Sequence, residues 1–162
     1  MFYKDQAGQL HQLNDPAFLH LLPFGSVEVS DVEAHNILHP VPTRAVAEGA
    51  CWEAIKVARD IRTTGGGYKV GEHWFHSDTF SRTQQMGLVM LGASLPEGVE
   101  WKTMSGTKVV MTPALAQQIF AAAAASDIAI FAAAESHRTA MLASADPAAY
   151  DFSGGWPPVF GE

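Results

Sequence analysis

The residues best suited to metal or proton chemistry here are seven histidines, and their spacing favours neither. His73 and His76 flank Trp74-Phe75, three positions apart, and in a strand that spacing points them to opposite faces. His35 and His39 stand four apart, the separation of a helical metal pair, but Pro40 frays any helix there and no third ligand is evident. His137 falls on the apolar stripe of a long helix, where a packed histidine is the plainer reading. Cys51 is the only cysteine and lies beside Trp52 with no histidine nearby, so it reads as packed rather than reactive. Gly65-Gly-Gly67 is followed by Tyr68-Lys69 and a strand. A phosphate loop needs Gly-Lys-Ser/Thr opening a helix, so these glycines read as a helix stop. Asp31 and Glu33 sit where a first helical turn favours acids, and Asp78 reads as a cap. There is no Gly-x-Ser-x-Gly nucleophile elbow. No enzyme activity, cofactor or metal site is therefore expected.

Composition points the same way. Of 162 residues, 48% are hydrophobic and 17% charged. Charged residues usually approach a quarter, so the surface is sparsely charged and extra surface is expected to be buried, as between subunits. The net charge is -7, and the ten basic residues are scattered. Nucleic-acid or anionic-membrane binding is not expected. The opening MFYKDQAGQLHQ has no basic-then-apolar pattern, and the longest apolar run, Phe120 to Ala125, is too short to span a bilayer. The expectation is a chain made in a cytoplasm.

The elements that position these groups follow from punctuation. Residues 1–39 read as a β-rich contact unit. Strands at Met1–Lys4 and Gln9–Leu13 flank a turn at Asp5–Gly8. Asp15-Pro16 opens a short helical turn carrying Leu19, Leu21, Leu22 and Phe24. Ser26–Ser30 alternates like a half-buried strand, and Ser30 with Glu33 fits a capping box for a helix to Leu38. Residues 40–43 read as a linker, because the prolines remove donors and restrict their predecessors. Residues 44–162 read as an α+β domain of helices alternating with two β-hairpins. Its helices are expected at 44–62, from 77 or 78 to about 93, and 113–145, with hairpins at 68–76 and 99–111. The tail from Tyr150 to Phe160 is aromatic and turn-rich, suited to packing on the body or on a partner.

The last helix is the most informative. Residues 113–145 hold fourteen alanines, and larger apolar residues repeat at an offset of eleven: Ile119, Ile130, Met141, and beside them Phe120, Phe131, Leu142. With Leu115 and Ile128 they cover an arc of about 220° at 100° per residue. A surface helix needs an apolar face only a little over 100° wide. Part of the arc is central to its own domain, and part is expected to meet another chain, in a dimer as readily as a trimer. Trp74, Trp101 and Trp156 add aromatic interface candidates, since tryptophan anchors protein interfaces and aromatic rings stack on sugars.

The stretch from Arg59 through Thr63-Thr-Gly-Gly-Gly-Tyr-Lys-Val-Gly-Glu-His-Trp-Phe-His-Ser-Asp78 to Arg82 resembles a domain of phage and prophage tail proteins. The likeness continues through Gln84-Gln85, Gly92-Ala93, Trp101–Met104 and the alanine-rich helix. Phe2–Asp5 and Leu21-Leu22-Pro23 are similar to the N-terminal part of such proteins. That family has no assigned mechanism, and its members are often encoded near tail-fibre genes. The resemblance implies a tail-fibre protein as partner and a role in fibre assembly or attachment. It places the protein in the host cytoplasm during assembly or in the virion tail. The alternative is a virion component or fibre tip that recognises a host surface glycan.

Overall fold

Short strands close on turn residues, and apolar helices are capped by side chains that satisfy their free amides. The computed structural model describes all 162 residues. Its α+β architecture divides into two compact units, residues 1–43 and 44–162.

In the first unit, β1 (Phe2–Lys4) is the centre of a three-stranded antiparallel sheet, between β2 (Leu10–Gln12) and β3 (Val27–Val29). The Asp5 carboxylate accepts from the Ala7 and Gln9 amides and so closes the β1–β2 turn. His11, hydrogen-bonded 3.0 Å away, and then these amides hold the Asp5 carboxyl below its ordinary range. Asp15 caps a 3-10 helix at Pro16–Leu21. Ser30 caps α1 (Asp31–Leu38) through the Glu33 amide. Only half of the expected capping box forms, because the Glu33 carboxylate pairs with Lys4.

The buried residues of this unit are Tyr3 and Ala34, while Phe18, Leu19, Leu21 and Phe24 face solvent, Phe24 at 96% exposure. A chain of about 40 residues rarely buries enough apolar surface to fold unaided. Residues 1–43 expressed alone are therefore expected to show no cooperative thermal transition by circular dichroism, whereas 44–162 alone keeps one. A sharp transition in the short fragment would refute this.

The second unit is built on two antiparallel helices, α2 (Arg44–Gly65) and α4 (Pro113–Ala143). Between them in sequence lie a hairpin of β4 (Tyr68–Val70) and β5 (His73–Phe75), helix α3 (Thr79–Leu91), and a hairpin of β6 (Glu100–Lys102) and β7 (Lys108–Val110). Asp78 caps α3 through the Ser81 amide and hydroxyl, bonds that lower its pKa. Thr112 caps α4, with Pro113 in the first turn. Two ends differ from expectation. Helix α2 continues to Gly65, with the Thr63 and Thr64 hydroxyls donating to the carbonyls four residues back. Helix α4 stops at Ala143, where the Arg44 guanidinium takes up the carbonyls of Leu142 and Ser144 at 2.9 and 3.1 Å.

The core runs along one side of α4. At its N-terminal half, Ala116, Ile119 and Ala123 pack with Tyr68, Phe75, Leu95 and Met111. At its C-terminal half, Ala134 and Met141 pack with Cys51 and Ile55, covered by Trp52 and the tail aromatics Tyr150, Phe152 and Trp156. Two glycines join these halves. A Cβ on Gly66 would collide with the Arg62 carbonyl and the Val159 side chain. Gly67 adopts φ +71°, where other residues are strained, and its amide donates to the buried Ser77 hydroxyl at 2.9 Å.

Candidate interaction surfaces

Helix α4 turns two unlike sides outward and inward. Its fully buried residues are Ala116, Ile119, Ala123, Ile130, Ala134 and Met141. At 100° per residue they occupy an arc of only about 60°. Counting half-buried Leu115, Ala122, Ser126, Asp127, Ala133 and His137, about 140° of the circumference is occupied by the chain itself. Ile119, Ile130 and Met141 were expected as interface residues, and here the structure corrects the reading: they are 0%, 2% and 1% exposed and belong to the core. Half-buried Leu115 packs against the same core. The second trio faces out, with Phe120, Phe131 and Leu142 at 50%, 48% and 46%, and Ile128 at 71%. Arg59 of α2 lies over the Phe131 ring at 4.7 Å and covers part of it.

The eleven-residue repeat thus marked two stripes with different fates. Helix α4 is also long and apolar enough, by composition, to cross a membrane, contrary to the expectation from its short uninterrupted runs. The core helix of a globular protein meets the same criterion; in α4 the Ile119–Ile130–Met141 stripe is core, while 17% of the apolar window as a whole is buried.

Sequence reasoning overlooked a second outward stripe. On α2, Val46, Ala50, Ala54, Val57 and Ile61 are exposed, on the side opposite fully buried Ile55. Their spacing of four, four, three and four was readable, since it is that of one helix face. Phe80 and Met90 of α3 are likewise 72% and 81% exposed.

The tryptophans separate. Trp74 meets Phe160 edge to face at 6.3 Å. The Trp156 indole donates to the Phe152 carbonyl at 2.7 Å, beside His137 at 5.0 Å and under Arg62 at 5.4 Å. Both therefore fasten the C-terminal tail to its own domain. Trp101 fronts open clefts, one of 310 Å³ lined also by His76, Phe80, Ser81, Gln84 and Glu100. Glu100 is the only carboxylate lining it.

The histidines are dispersed. His35 and His39 stack at 4.7 Å in the first unit, and no three His, Cys, Asp or Glu side chains gather as a metal-binding group. His137 shares a 3.0 Å hydrogen bond with the Tyr150 hydroxyl, and its other ring nitrogen is buried and unpaired. Cys51 is buried, which pushes its thiol pKa up.

The densest polar grouping is a node at Arg82. Its guanidinium forks onto both Asp127 oxygens at 2.6 and 2.8 Å. It also donates to the carbonyls of Ser77 at 2.6 Å and Thr63 at 2.9 Å, and lies over the Tyr68 ring. The Tyr68 hydroxyl donates to buried Gln85, whose amide donates to the His76 carbonyl at 3.1 Å. Burial pushes the Tyr68 phenol up to about 12, so it remains a donor at neutral pH. The node ties α2, β4, α3 and α4 together within the stretch that carries the family resemblance. Its groups are saturated by one another, which suits a keystone rather than a catalyst.

A small α+β protein with one interlocked polar node inside and apolar helix faces outside is the class these surfaces define. Residues 46–154 match the family described as a domain of unknown function, DUF4376, and the chain belongs to that family. No curated protein and no solved structure matches the chain.

Proposed function

We propose that this is a non-catalytic phage or prophage tail protein that binds a tail-fibre chain and assists its assembly or attachment. The observation that carries the physical part is the surface of residues 1–43. Phe18, Leu21 and Phe24 stand 49%, 67% and 96% exposed on a unit that buries little else than Tyr3 and Ala34. Exposed apolar surface of this density marks a site of protein contact. A unit with so slight a core gains stability when a partner covers that surface. The resemblance of residues 59–82 to tail proteins supports a tail-fibre chain as that partner.

Co-expressed with the tail-fibre chain of the same phage or prophage, the protein is expected to co-purify with it. Changing Phe18, Leu21 and Phe24 together to serine is expected to lower recovery of the complex at least tenfold, with the 44–162 unit still folded. Normal trimerisation of the fibre without this protein removes the assembly role.

A second reading rests on Trp101. It fronts open clefts, with Gln84 and Glu100 beside it as planar hydrogen-bonding groups. That arrangement suits sugar stacking at a fibre tip, and stoichiometric presence of the protein in purified virions would favour it.

A further inference from the structure

The outward side of α4 has the composition of an interface. Over the exposed arc, about 220° wide, its charged residues are Glu135 and Arg138, along a 31-residue helix. An exposed helix face ordinarily carries charges throughout. Beside the large residues Phe120, Ile128, Phe131 and Leu142 runs a seam of short ones at three- and four-residue steps. Ala114, Gln118, Ala121 and Ala125 lead into Ile128 and Ala129, and Ala132, Ser136, Thr139 and Ala143 lead out, all of them exposed.

From this face we infer that α4 pairs with α4 of a second copy of the chain, antiparallel, about a two-fold axis at Ile128–Ala129. Antiparallel two-fold pairing keeps each side of the helix against the same side of its partner with the direction reversed. On one side Ala125 then meets the partner's Ala132 and Ala114 meets the partner's Ala143, so the backbones approach closely. On the flank of the seam Ile128 meets the partner's Ile128 beside the two-fold axis.

Charge favours this direction. In parallel pairing each Glu135 would stand level with the partner's Glu135 across the seam, and each Arg138 level with the partner's Arg138. Antiparallel pairing sets the two Glu135 carboxylates about 20 Å apart along the seam. The extent suffices as well. A helix of this length presents a stripe about 46 Å by 12 Å. Two such stripes bury about 1,100 Å², above the about 1,000 Å² that a biological interface needs and at the small end of such interfaces. A bilayer is the poorer occupant, because the opposite side of α4 is packed into its own core and no basic cluster flanks it.

The full chain at about 50 µM is expected to sediment at twice 17.4 kDa and to become a folded monomer, with unchanged circular dichroism, on Ala125→Glu. Under mild oxidation, Ile128→Cys is expected to form a covalent dimer and Ala114→Cys is not, with buried Cys51 in the unsubstituted chain as the control. Sedimentation as a monomer at 50 µM overturns the inference. So does cross-linking of Ala114→Cys to itself, or capture of the monomer by phosphatidylcholine vesicles through this face. The fibre-binding proposal is tested separately: Ala125→Glu leaves fibre recovery intact, and the serine changes at Phe18, Leu21 and Phe24 leave the dimer intact.

Discussion

Ile119→Ala is expected to destabilise the 44–162 unit by about 4 kcal/mol, as for a large aliphatic removed from a closely packed site. Ile119 is fully buried among Tyr68 and Phe75 of the β4–β5 hairpin and Leu95 and Met111 from the segments on either side of the β6–β7 hairpin. Their positions are set by hairpin pairing and by the α3 cap, so the surroundings have little freedom to close over the space left behind. Ile128 is the same residue type on the same helix, nine positions on, and is 71% exposed. Ile128→Ala is expected to change stability by less than about 0.5 kcal/mol, the usual range for surface substitutions. Urea unfolding of both variants, at a dilution where the chain is monomeric, gives the comparison. Equal losses would mean that the inward and outward sides of α4 had been misassigned.

Arg82→Met is expected to cost about 2–3 kcal/mol. Leaving one partner of a buried ion pair uncompensated costs about 3–5 kcal/mol. Here the Arg82 and Asp127 side chains are 28% and 31% exposed, so water recovers part of that loss. Four hydrogen bonds disappear, and the carbonyls of Thr63 and Ser77 lose a donor that methionine cannot replace. Arg82→Lys restores the charge but not the planar fork, so it is expected to recover less than half of the loss. Adding Asp127→Asn to Arg82→Met is expected to return part of the stability, because the stranded carboxylate goes. Recovery as complete with lysine as with arginine would reduce the node to simple charge pairing.

Local structure was legible wherever one side chain decides it. Asp15, Ser30, Asp78 and Thr112 cap the elements that their types and positions imply, and Gly67 supplies the left-handed turn after α2. The wide arc of α4 was legible too, but which part of it the chain covers was not. Periodicity fixes the angle between two side chains on a helix and is silent about the direction of the neighbours. Ile119 and Phe120 therefore looked alike, and only the placement of α2, α3 and the hairpins separates them. The Arg82 node was hidden for another reason. Asp127 lies 45 residues away, and an acid within an alanine-rich helix reads as an exposed charge until the fold brings the guanidinium to it. The tryptophans were ambiguous in type, since the same ring serves a core, a tail anchor or a ligand platform.

Arg44 opens the second unit, yet its guanidinium is bonded into the final turn of α4, nearly a hundred residues further along the chain. The first residue after Pro40–Thr43 is thus fastened to the far end of the longest rod. A tug arriving along that segment meets no loose helix tip that could be peeled away turn by turn. The load divides at once between two long, side-by-side rods and must slide them past each other. Under the proposed fibre binding by residues 1–43, such a junction would serve as a strain relief.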